Sequence, residues 1–251
     1  MLLHKAWAES RTRFLIIAAA LTVFCLFATF SNGRPLAGGA LLLPSVHTAN
    51  YSERIYDLVY SGAAKGMFAI LVIFLGLGGL LRERSRRTAG FTLALPASRA
   101  SILGSQLIIG YGELALLSLL PGFLIPILSR LVQQSYPFHE AIHFSALWFG
   151  CGSLIFAASF LLSVVLPGEY TAPVAGYIVL MLQVLIALWQ PLRPYRLNLM
   201  WTMGEFGTMR RDANHSLLLT GPLPWTRLAV IIVIAAGFLG LSVKITQHQD
   251  F

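Results

Sequence analysis

Phe14-Leu15-Ile16-Ile17-Ala18-Ala19-Ala20-Leu21-Thr22-Val23-Phe24-Cys25-Leu26-Phe27-Ala28-Thr29-Phe30 runs for 17 residues without a charge, and five similar stretches follow it. Residues 58–81 are interrupted only by Lys65 and residues 100–129 only by Glu113, while 144–168, 170–192 and 228–243 carry no charge. A helix crossing a ~30 Å hydrocarbon core needs about 20 apolar residues. The pattern therefore predicts an all-α membrane protein with six spans, at 14–30, 60–81, 101–129, 144–166, 170–190 and 228–244. Lys5, Arg11 and Arg13 precede a first run that is longer than a signal-peptide core and ends without a small-x-small site, so it reads as a retained anchor.

Composition agrees. Of 251 residues, 57% are hydrophobic and 11% charged, and the mean hydropathy is +0.73. Soluble domains carry about 25% charged residues, so a water-exposed globule of this size lacks the polar surface to cover itself. The net charge of +8 is read as membrane-side charge rather than a nucleic-acid footprint, because Lys and Arg gather in cytoplasmic loops and near anionic headgroups. The two sides of a six-span layout hold nine cationic residues each. The N-terminal segment and the dense 82–99 loop decide the orientation, with both termini cytoplasmic and the chain multi-pass in the inner membrane. Cys25 and Cys151 sit in apolar runs without metal-ligand spacing and read as small hydrophobes.

Three of the segments outside the spans carry most of the information. Residues 1–13 place Leu2, Leu3, Ala6 and Trp7 ahead of Glu9-Ser10-Arg11-Thr12-Arg13, the pattern of an amphipathic interfacial helix. The 82–99 loop opens with Arg82-Glu83-Arg84-Ser85-Arg86-Arg87, continues through Thr88 and Phe91, and ends in Ala94-Leu95-Pro96-Ala97-Ser98-Arg99. Pro96 disfavours helix at Leu95, and Ser98 can N-cap the third span. A short cytoplasmic helix is expected there. The 191–227 connection is external, and Leu197, Met200, Trp201 and Met203 allow a short helix at the outer interface. Residues 31–57 form another external connection.

Chemistry-bearing motifs are sparse. His139-Glu140-Ala141-Ile142-His143 fits His-Glu-x-x-His in form, but a zinc site needs a third ligand, and the stretch is placed in a short external connection. Gly62-Ala63-Ala64-Lys65-Gly66 lacks phosphate-loop spacing, so no ATP site and no cofactor are expected on this chain. Glu113 is the one carboxylate deep in a span. An acid at mid-bilayer costs ~2.5–3.5 kcal/mol on insertion scales. It should therefore line a substrate path or dimer seam, or else be protonated or bonded to a polar group on a neighbouring span, with Gln106 and Gln183 as candidate partners.

The Glu83, Thr88-Ala89-Gly90 and Leu95-Pro96-Ala97-Ser98-Arg99 series resembles the segment after the second span in permease subunits of type-2 ATP-binding cassette (ABC) transporters. The order of the Gly-Thr pair is altered, and Gln106 stands where the family often has lysine. The C-terminal Gln249-Asp250-Phe251 is similar to the family's frequent Arg-Asp-aliphatic ending. The resemblance implies an exporter whose two permease subunits, identical or different, enclose a substrate path. A separate ABC ATPase subunit, carrying ATP and magnesium, drives it. It implies that Arg82, Glu83, Arg84, Arg86, Arg87, Thr88, Phe91, Leu95, Ser98 and Arg99 dock on that ATPase, with Gly168 and Glu169 as a second contact. Two other readings stay open: a secondary transporter using Glu113, and a membrane metallopeptidase using His139, Glu140 and His143.

Overall fold

The structure is a computed structural model that describes residues 2–31, 51–77, 99–166, 171–189, 198–204, 209–211, 217–219 and 224–248. Helix α1 covers Leu2–Phe30 and α2 covers Tyr51–Ile55, which continues into a π-turn at Tyr56–Tyr60. Then come α3 (Ala63–Leu75), α4 (Arg99–Leu131), α5 (Phe138–Val165), α6 (Thr171–Leu188), α7 (Leu199–Gly204) and α8 (Trp225–His248). A small antiparallel ribbon pairs β1 (Met209–Arg211) with β2 (Leu217–Leu219), Arg210 facing Leu218. The all-α expectation holds apart from this ribbon.

Among the described residues, five helical stretches are long and apolar enough to cross a membrane: Ser10–Phe30, Tyr51–Leu75, Ser101–Leu131, Phe138–Val165 and Trp225–Gln247. The protein is thus of the multi-pass membrane type. The remaining apolar helix, α6, is shorter than these five.

Helix α5 is the hub, packed against α3, α4, α6, α7 and α8. Of its apolar window, 67% lies inside the fold against 17% for α8, so α8 keeps most of its surface for lipid or another chain. Small residues bring α5 close to its neighbours. A side chain at Gly152 would meet Leu114 of α4 at 3.1 Å and Phe68 of α3 at 3.2 Å. The Gly150-Cys151-Gly152-Ser153 stretch therefore serves packing, and both cysteines are fully buried.

Three boundaries differ from the sequence reading. Residues 1–13 do not form a separate helix, because α1 runs unbroken from Leu2 to Phe30. No Gly or Pro interrupts that stretch, and its polar turn finds partners described below. The second span begins at Tyr51 rather than at residue 60 and is broken at Ser61-Gly62, between the π-turn and α3. The fourth begins at Phe138, so His139, Glu140 and His143 lie in the first turns of α5 rather than in a connection. The short helix expected from Met200, Trp201 and Met203 is present as α7. It opens on Asn198, whose Oδ1 accepts from the amides of Met200 (2.9 Å) and Trp201 (3.4 Å).

Helix α4 has 33 residues, roughly 50 Å at 1.5 Å per residue, which exceeds a ~30 Å hydrocarbon core. It contains Pro121 and Pro126, each lacking an amide for the carbonyl four residues earlier.

Candidate functional site

Two groups of polar side chains lie inside the bundle, one at each end. The first gathers where α1 begins and α3 stops. Ser10 of α1 donates its hydroxyl to Glu113 Oε1 of α4. One turn on, Arg13 donates from its guanidinium to the carbonyl of Leu77, just past α3, at 2.7 Å. Glu113 is 2% exposed. Although it stands near the middle of α4, it is level with Ser10, Arg13 and Leu77, hence with the ends of two neighbouring spans. The excess length of α4 explains the difference from the mid-span position expected. The expected partners Gln106 and Gln183 are replaced by Ser10, and Gln106 instead shares a small cavity with Glu113.

The second group lies at the opposite end. Tyr60 stacks on Phe144 (4.4 Å between ring centres) and on Tyr136 (6.0 Å), and it meets Trp148 edge-on at 6.0 Å. Phe68 packs on Trp148 at 4.7 Å. Tyr56 contacts Phe144 and donates its hydroxyl to the carbonyl of Gly204 at 2.7 Å, which fastens α7 over the cluster. Tyr51 bonds Ser129 of α4 at 2.8 Å. Glu53, Lys65, Glu140 and His143 are all buried here. Burial holds the phenol of Tyr136, in the connection between α4 and α5, well above its usual range; Tyr60 and then Glu140 add to the shift.

No family model, curated protein or solved structure matches this chain.

The residues of the His-Glu-x-x-His stretch lie in one helix but differ in exposure. His139 is exposed whereas Glu140 and His143 are buried. Among the described residues no group of three His, Cys, Asp or Glu is placed to hold a metal ion. Of the residues expected to contact an ATPase, Arg99 is the first residue of α4. The others, Arg82, Glu83, Arg84, Arg86, Arg87, Thr88, Phe91, Leu95, Ser98, Gly168 and Glu169, lie outside the described residues.

The sequence reading passed over Ser10 and Arg13, which it assigned to an interfacial helix, over Glu53, which fell in the 31–57 connection, and over Lys65, which it counted only as a charge interrupting a span. For Ser10 and Arg13 a usable signal existed: a polar turn inside an uninterrupted helix former has to find buried partners. Nothing local marks Glu53 or Lys65 as interior; the Lys65 ammonium comes to lie against Gly204 of α7 only in the folded chain.

Proposed function

We propose that the chain is the membrane-spanning permease subunit of a type-2 ABC exporter. It pairs with a second permease subunit and is driven by a separate ATPase subunit that binds ATP and magnesium. On this reading α6 completes six spans, both termini are cytoplasmic, the membrane is the inner one, and residues 82–99 form the coupling helix. The observation that carries the reading is the join at Arg99. A third long helix starts directly after Leu95-Pro96-Ala97-Ser98, where the family's coupling segment meets its third span. The placement of Ser10 and Arg13 adds support, because they tie α1 both to α4 and to the carbonyl of Leu77. Motion delivered to residues 78–98 would then reach three helices together, as a lever-driven switch between inward and outward access requires.

Co-purification tests this reading. The full chain should retain an ATPase subunit through affinity purification, and deletion of residues 84–95 should release it while the rest of the chain stays folded. Transport by this chain alone in proteoliposomes, with a proton gradient and no ATPase, would refute it. That result would favour the secondary-transporter reading, for which buried Glu113 is the supporting observation.

A further inference from the structure

The cavity beside Glu113 has a volume of about 40 Å³ and is walled in part by Ser10, Arg13, Gln106, Glu113, Phe156 and Phe160. Two acceptors on this wall have no hydrogen-bond partner among the described residues: Glu113 Oε2, the carboxylate oxygen not bonded to Ser10, and Gln106 Oε1. Both atoms are buried. Native proteins rarely leave such atoms unmet, and an orphaned carboxylate oxygen is among the costliest groups to bury dry.

We propose that this cavity is a bound-water site whose waters donate to Glu113 Oε2 and Gln106 Oε1. At ~10–15 Å³ per water the volume admits about three molecules, far below the ~300 Å³ at which organic-ligand pockets begin. Electrostatics select against a metal cation, because the Arg13 guanidinium already occupies the wall and the Leu77 carbonyl already accepts from it. A neutral donor of water size satisfies both orphan acceptors without adding charge. Bridging water can also exchange partners, so α1 and α4 can shift against each other at this level without stranding the carboxylate. The assignment does not depend on an ATPase partner.

X-ray hydroxyl-radical footprinting of the full chain in nanodiscs tests it, because radicals form in place from bound water. Phe156 and Phe160 are each 1% exposed and line the cavity, while Phe68 and Phe144 are 0% exposed and do not. With a bulk radical scavenger present, Phe156 and Phe160 should oxidise several-fold faster than Phe68 and Phe144. The excess should survive Glu113→Gln and fall in Gln106→Leu. Equal rates for the four phenylalanines would overturn the proposal. So would an excess that the scavenger abolishes, which would mean open solvent rather than bound water.

Discussion

Gly76, the residue after α3, has φ −68° and ψ −6°, a conformation alanine adopts freely. Any penalty for Gly76→Ala must therefore come from space. The added Cβ would lie 2.8 Å from Ser159 Cβ and 2.9 Å from the Phe156 carbonyl oxygen, both on α5 and neither on a flexible side-chain end. Carbon pairs rest at ~3.5–4.0 Å, so α3 and α5 must part by roughly 0.7 Å or more. Overpacking of this kind costs about 1–3 kcal/mol. The Leu77 carbonyl follows directly and accepts from Arg13 at 2.7 Å. A similar displacement takes that bond past the ~3.2 Å limit of a good N–H···O contact, adding up to ~1.5–3 kcal/mol for a charged donor. Gly104→Ala is the control, because its Cβ would meet no atom within 4 Å. An alanine inside a helix should be neutral or stabilising by up to ~1 kcal/mol. Reversible unfolding in mixed micelles, followed by tryptophan fluorescence, reads both variants. Adding Ser159→Gly should recover part of the loss, since it removes one of the two contacts. A Gly76→Ala protein as stable as Gly104→Ala would refute the close approach of α3 to α5.

Tyr56→Phe removes the donor to the Gly204 carbonyl and should cost about 1–3 kcal/mol through a buried acceptor left unmet. Limited proteolysis should then cut more readily near α7, while an unchanged digestion pattern would show that this bond does not hold it. Trp148→Ala empties a fully buried site against Phe68 and Tyr60 and should cost about 3–5 kcal/mol in the same unfolding assay. A loss under about 1 kcal/mol would mean that the site refills by collapse.

Uncharged runs made the spans readable because a bilayer filters residues by polarity over a fixed length, and that filter acts locally. The five long apolar helices fall where those runs lie. Helix ends were harder to place. Tyr51 to Asp57 looks like loop on polarity alone, yet Glu53 is 5% exposed and helical, because the folded bundle buries it. Glu9 to Arg13 looks like an interface for the same reason, yet within it Ser10 and Arg13 bond Glu113 of α4 and the carbonyl of Leu77. Glu113 was identifiable as a residue that must be satisfied. Its partner was not, since Ser10 lies 103 positions away and only the fold brings the two together.

The π-turn at Tyr56–Tyr60 makes chain length itself a constraint. A wider turn absorbs one more residue than an α-turn would, so the direction of every side chain before it, relative to α3, depends on the count through Ser61-Gly62. Removing one residue would turn the preceding segment by roughly 100° about the helix axis, the angle one residue subtends. Tyr51 would swing away from Ser129, and Tyr56 from Gly204. Substitutions in this stretch act one contact at a time, whereas a single insertion or deletion would dislodge both anchors together.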